Sequence, residues 1–134
     1  GMKVAAGPTV QTLLVNNLAW GNDIADIQLA GLGHYFLQNN NVQNVRGFAE
    51  SEIDNISIAP MFSGGLFDYT PVPGSALIDA GRRPPSITPI PVPFEHNWAT
   101  GTLDLLGEAR VKGSAIDIGA FEATPVQLFA DGFE

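Results

Sequence analysis

The amino-acid sequence predicts an all-β chain, a short parallel β-helix of two to three coils closed by an irregular C-terminal cap rich in Pro and Gly. Three observations carry this. Turn formers are dense, with 15 Gly and 10 Pro in 134 residues, and no Ala, Leu, Glu or Lys run is long enough for an extended helix. Short apolar segments recur at an offset of about 22 residues, within the range of stacked repeats. Asn residues fall at matched places in that frame.

The first matched pair sets Leu13-Leu14-Val15-Asn16-Asn17-Leu18-Ala19-Trp20-Gly21-Asn22 against Tyr35-Phe36-Leu37-Gln38-Asn39-Asn40-Asn41-Val42-Gln43-Asn44. Apolar residues then oppose one another at Leu13/Tyr35, Leu14/Phe36, Val15/Leu37 and Trp20/Val42. Asn17 lands on Asn39 and Asn22 on Asn44. Equivalent side chains in stacked coils form ladders about 4.8 Å apart. Asn suits the turns, because it tolerates the left-handed conformation and its amide bonds the amides above and below. The prediction is that Val15 and Leu37 stack inside, with Asn17 over Asn39 at a turn.

Further strands follow. Residues 26–29 and 55–58 alternate apolar and polar, as a strand with one buried face does. Gly31 and Gly33 break the chain before the second coil. Residues 47–52 form either a short helical turn or a loop. From Pro60 the texture changes, and residues 83–93 carry five Pro in eleven positions, which excludes a central strand and predicts an extended surface segment. Residues 110–112 and 115–118 are the last strand candidates. The division is therefore 1–59 for the coils and 60–134 for a capping segment of the same domain.

Composition bounds the function. With 45% apolar and 15% charged residues the chain is globular rather than disordered. Six Lys plus Arg against fourteen Asp plus Glu give a formal charge of −8, which repels phosphate backbones and anionic lipid, so no nucleic-acid partner is expected. The absence of Cys excludes thiolate metal sites, thiol nucleophiles and disulfides. No apolar run approaches the ~20 residues of a membrane helix, so no membrane span is expected. The opening Gly1-Met2-Lys3 looks like a protease scar ahead of a start codon, so the expectation is that any export signal lies outside this chain or was never part of its reading frame.

Four ordered segments carry a resemblance. They are Ala59-Pro60-Met61-Phe62, Pro73-Gly74-Ser75-Ala76-Leu77-Ile78-Asp79-Ala80-Gly81, Asp104-Leu105-Leu106-Gly107-Glu108-Ala109-Arg110 and Ile116-Asp117-Ile118-Gly119-Ala120-Phe121-Glu122. Together they resemble the end region of choice-of-anchor Q domain proteins, which are similar to pectate-lyase-like and polymorphic outer-membrane β-helices. The sequence departs from that pattern at Ala76 and Ala109, where Pro is preferred, and at Leu106, where Asp is preferred. The last departure weakens any cation-holding role for that turn. The resemblance implies a right-handed helix and a bacterial extracellular or cell-surface location. The closing residues 128–134 resemble the ends of proteobacterial secreted proteins.

Candidate sites are few. Asp23, Asp26, Arg46 and Asp54 fall on different turns, so no catalytic residue is assigned. His34 and His96 stand 62 residues apart without partners in a metal pattern, so no metal site or cofactor is expected. Within Phe94-Glu95-His96-Asn97-Trp98, the residues Trp98, His96 and Glu95 are candidates for carbohydrate contact, since an indole can stack on a sugar ring; the same cluster can instead pack back on the coils. Asn17, Asn39, Asp79, Gly81, Asp117, Gly119 and Glu122 are expected to be structural. A carboxylate beside Gly in a tight turn accepts backbone N–H groups or pairs with Arg82, Arg83 or Arg110. No nucleophile elbow, phosphate loop or nucleotide fingerprint occurs.

The expected function is a non-catalytic structural and surface module, whose partner is a carbohydrate or another cell-surface ligand. The alternative is the tail of a polysaccharide lyase or glycoside hydrolase with its catalytic coils upstream. At the open N-terminal coil, either two copies meet as a homodimer or residues 1–9 fold over as a lid.

Overall fold

The computed structural model describes residues 1–83 and 101–124. Eight strands follow one another: β1 Met2–Ala6, β2 Gln11–Val15, β3 Leu18–Ala19, β4 Ile27–Gly31, β5 His34–Gln38, β6 Asn41–Val42, β7 Val45–Arg46 and β8 Ser51–Ile53. They form three small sheets, ordered β1-β4-β7, β2-β5-β8 and β3-β6, and every strand pairing is parallel. The chain is all-β, with no helix among the described residues. It visits the three sheets in turn and then returns to the first, so each strand pairs with one that lies three places along.

The register corrects the expected alignment by one residue. Gln11 pairs with His34, Leu14 with Leu37, and Ala19 with Val42, so the offset is 23. Leu14, not Val15, therefore stacks on Leu37, while Val15 stands opposite Gln38. Asn17 meets Asn40, and Asn16 takes the place over Asn39. A slip of one residue exchanges the two faces of a strand. Leu13-Leu14-Val15 and Tyr35-Phe36-Leu37 are apolar on both faces, so apolar matching does not choose between the registers. The left-handed residues do: Asn16 and Asn39 have φ of 58° and 49° and turn the chain at equivalent points.

Successive passages shorten. Phe36 pairs with Ser51, an offset of only 15. The core consists of Leu14, Ile27, Leu29, Tyr35, Leu37 and Val42, with Met2, Val4, Ala6, Ala19, Val45 and Ala49 packed around it and only partly buried. Five of the six core residues come from the middle passage, which alone has strands on both sides. Full burial of such a side chain stabilises by about 1.5–3 kcal/mol, so the middle passage holds most of the apolar energy of the strand stack, while Leu77, Ile116 and Ile118 are buried in the C-terminal segment.

Gly31 shows why a glycine ends β4. Its φ is 81°, and a Cβ there would stand 2.4 Å from the Ala6 carbonyl oxygen. Residues 1–9 are not a lid, because Met2–Ala6 pairs edge to edge with β4 along its whole length. Residues 47–50 form a loop that leads into β8. The strands expected at 55–58 and 115–118 reduce to isolated bridges, Asn41 with Ile56 in parallel and Gly81 with Ile116 antiparallel, and residues 110–112 form no strand. In 115–118 the Asp79 and Glu122 carboxylates take up the Ala115 and Asp117 N–H groups, whereas the Arg110 N–H donates to the Thr102 carbonyl.

Candidate functional site

The turn between the second and third sheets holds two amide columns. On the inner side, Asn40 is fully buried. Its Oδ1 accepts from the Asn17 backbone N–H at 2.9 Å and from Asn17 Nδ2 at 2.8 Å. Its Nδ2 donates to the Leu14 carbonyl and to Asn55 Oδ1, both at 2.9 Å. Asn55 Nδ2 continues the column to the Leu37 carbonyl at 3.2 Å. On the outer side, left-handed Asn16 and Asn39 turn their amides toward the C-terminal segment. Asn16 Oδ1 accepts the Arg82 N–H at 2.6 Å while its Nδ2 donates to the Arg82 carbonyl at 2.8 Å. Asn39 Nδ2 donates to the Ala80 carbonyl at 3.0 Å. These bonds lay the segment along the side of the first two passages rather than across the last one.

The segment is held together by acids. The two similar motifs, 75–81 and 114–119, clasp each other. The Gly81 N–H donates to the Ile116 carbonyl at 2.7 Å, and the Ile118 N–H to the Leu77 carbonyl at 2.9 Å. Asp117 Oδ1 accepts the Asp79 N–H at 2.8 Å, and Asp79 Oδ1 accepts the Ala115 N–H at 2.8 Å. Asp117 Oδ2 accepts from Ala123 at 2.6 Å. The backbone N–H of Gly119 donates to the Asn16 carbonyl at 3.0 Å, which joins the clasp to the strands. Gly113 lies against Asp79, where a Cβ would meet the carboxylate at 2.3 Å.

Beside the clasp, Asp104, Arg110, Asp117 and Glu122 are all buried. Arg110 pairs with Glu122 and donates to the Gly119 carbonyl at 2.7 Å. Glu122 Oε1 also accepts the Asp117 N–H at 3.1 Å. Asp104 accepts from Leu106, Glu108 and Glu122 N–H groups at 2.9, 2.9 and 3.0 Å. Of the three carboxylates only Glu122 meets the guanidinium, while Asp104 and Asp117 are held by backbone N–H groups. Burial pushes Glu122 up to about 7; the Asp117 and Asp104 charges add to that rise, while the Asp117 N–H and Arg110 oppose it. Burial also acts to raise Asp104, but its three N–H donors outweigh burial and hold it below the usual carboxylate range.

The other acids do similar work. Asp26 is buried, and its oxygens accept from Asn22, Gln43 and Asn44 at 2.8–3.0 Å. Those donors outweigh burial and hold its carboxyl low. Asp23, Arg46 and Asp54 are exposed, and Asp54 extends the left-handed column of Asn16 and Asn39 with φ 52°. His34 bonds Glu50 and, through Nε2, the Pro8 carbonyl at 3.1 Å, and the Glu50 partner raises its pKa. Among the described residues no group of three or more His, Asp or Glu is arranged to hold a metal. Among them also, no helix is long and apolar enough to cross a membrane. Trp98, His96 and Glu95 lie outside the described residues.

A cleft of ≈ 760 Å³ runs between the first passage of strands and the C-terminal segment. Trp20, Phe62, Tyr69 and Phe121 supply its rings, and Leu18 and Ile118 much of the rest of its wall. Sequence reasoning missed this cleft, since Trp20 and Tyr69 are brought together only by the docking of the segment. It also missed Asn16 and Asn40, although the doublets Asn16-Asn17 and Asn39-Asn40 signal an inner and an outer amide at each turn. No family model matches the chain, and neither a curated protein nor a solved structure matches it.

Proposed function

We propose that this chain is the end portion of a right-handed parallel β-helix protein, similar to the choice-of-anchor Q and pectate-lyase-like proteins and displayed outside a bacterial cell. It serves there as a non-catalytic structural and surface module that contacts carbohydrate. Residues 1–59 are its coils and residues 60–134 its closing segment. The observation that carries this reading is the serial strand order β1-β4-β7, β2-β5-β8 and β3-β6, with the Asn17, Asn40 and Asn55 amides in one column.

Stacked coils leave apolar core and unpaired main chain at their ends and flanks, and polar irregular chain covers them. The docked segment supplies such cover. Its acids support a structural role, because Asp79, Asp104, Asp117 and Glu122 are engaged by N–H groups or by Arg110. Among the described residues β2 pairs on one side only, and a second copy completes that edge in this proposal.

Incubation with a panel of plant and bacterial polysaccharides tests the reading. Insoluble polysaccharide is expected to retain the protein, with no new reducing ends and no unsaturated products. Turnover of any of them overturns the non-catalytic assignment. Size-exclusion chromatography with light scattering is expected to report a dimer, and a strict monomer removes the second copy. An experimental structure that winds left-handed removes the helix assignment.

A further inference from the structure

We infer that the cleft between the first passage of strands and the C-terminal segment binds a neutral saccharide, with a sugar ring seated on Trp20 and Tyr69. The inference rests on the carbohydrate-contact part of the proposed function and gives it a place on the molecule. The volume of ≈ 760 Å³ falls within the range of about 300–1,000 Å³ typical of ligand sites. The rings on its wall brace one another. Phe62 meets Tyr69 edge-on at 5.5 Å and 89°, and Phe121 lies against Tyr69 at 6.4 Å and 46°. Tyr69 is thus fixed by two neighbours yet remains 52% exposed.

A braced, open aromatic wall suits a ligand with an apolar face and a hydroxyl rim, which is the build of a pyranose ring. The polar groups on the wall divide into two sets. The amides of Asn16, Asn17 and Asn22 are committed to Arg82, Asn40 and Asp26. The Trp20 indole N–H and the Tyr69 hydroxyl have no hydrogen-bond partner among the described residues and can meet ligand hydroxyls.

Charge selects the class of sugar. Among the described residues no Asp, Glu, Lys or Arg lines the cleft, and the Gly1 amino group on its rim donates to Asn22 Oδ1. A uronate would find no side-chain cation there and would meet a chain of net charge −8. Neutral hexose or pentose oligomers carry no such penalty.

The chain has two Trp residues, so its indole N–H NMR spectrum has two side-chain peaks, and Trp20→Phe assigns one to Trp20. Titration with neutral gluco-, xylo- and manno-oligosaccharides is expected to move the Trp20 peak saturably for at least one series. Oligogalacturonate is expected to leave that peak in place. Tyr69→Ala is expected to weaken binding at least about tenfold, with Tyr69→Phe closer to the parent and both variants keeping the parent's β-sheet circular dichroism. A Trp20 peak that no neutral oligosaccharide moves overturns the inference, as does equal response to oligogalacturonate or unchanged affinity in Tyr69→Ala. If insoluble polysaccharide retains the protein while only the Trp98 peak responds, the cleft assignment fails and the carbohydrate reading stands. No retention and no shift removes both.

Discussion

In residues 2–56 the main chain pairs with main chain, strand on strand, whereas in residues 60–83 and 101–124 much of it pairs with carboxylates. β4 and β5 each have a partner on both sides, and the side chains between them are Leu, Ile, Tyr and Val. In the described part of the second region three antiparallel contacts, Phe62 with Pro71, Gly81 with Ile116 and Leu103 with Ala109, stand in for a ladder. Asp79, Asp104 and Asp117 accept the N–H groups those contacts leave over. The difference teaches where each region is vulnerable. A stack of strands loses stability when its core is hollowed, while a carboxylate frame loses it when its charge balance is disturbed.

The largest expected effect is on that balance. Arg110→Met leaves Glu122 buried without its guanidinium and beside the Asp117 and Asp104 charges, and loss of one partner of a buried pair costs about 3–5 kcal/mol. Urea unfolding followed by circular dichroism measures it. An effect below about 1 kcal/mol would place the weight of the segment elsewhere. Next comes the stack. Leu37→Ala empties a fully buried site between Leu14 and the last passage and is expected to cost about 3 kcal/mol. Amide exchange at β4 and β5 is expected to rise with it.

Asn40→Ala tests the amide column inside the first region. It orphans the Asn17 N–H and the Leu14 carbonyl, and unsatisfied buried groups of this kind cost about 1–3 kcal/mol. Here the amides of residues 14–17 are expected to exchange faster, while those of 116–123 change little.

The smallest effect is the dependence on pH, and it separates the regions most sharply. Glu122 titrates near 7 in the folded chain against an ordinary value of 4.5. The folded state therefore holds its proton more tightly, and the stability this confers is complete below about 4.5 and lost as pH rises through about 7. Asp26 and Asp104 are shifted downward, so their contribution is present above the ordinary carboxylate value and lost as pH falls through their lowered values. Stability is expected to be highest between these limits. Raising the pH from 5 to 8 is expected to cost on the order of 1–2 kcal/mol and to loosen residues 104–123 before β4 and β5. Glu122→Gln is expected to flatten the alkaline side of the profile, and an unchanged slope in that variant would assign the effect to another group.

The sequence by itself determined the strand-rich class, the repeating passages and the change of texture near Pro60. Those features lie in local composition and period, which any fold of this chain must respect. It also marked Asn and Asp-Gly positions as turns, because few other residues enter the left-handed region at low cost. Tertiary structure alone decided the register, since segments apolar on both faces satisfy either alignment until the left-handed Asn16 and Asn39 are superposed. It alone brought the 75–81 and 114–119 motifs together, because Asp79 and Asp117 lie 38 residues apart and their bonds exist only once the chain has closed. It alone made Arg110 and Glu122 a buried pair and brought Trp20 and Tyr69 to one cleft, for burial and proximity belong to packing and no local pattern encodes them.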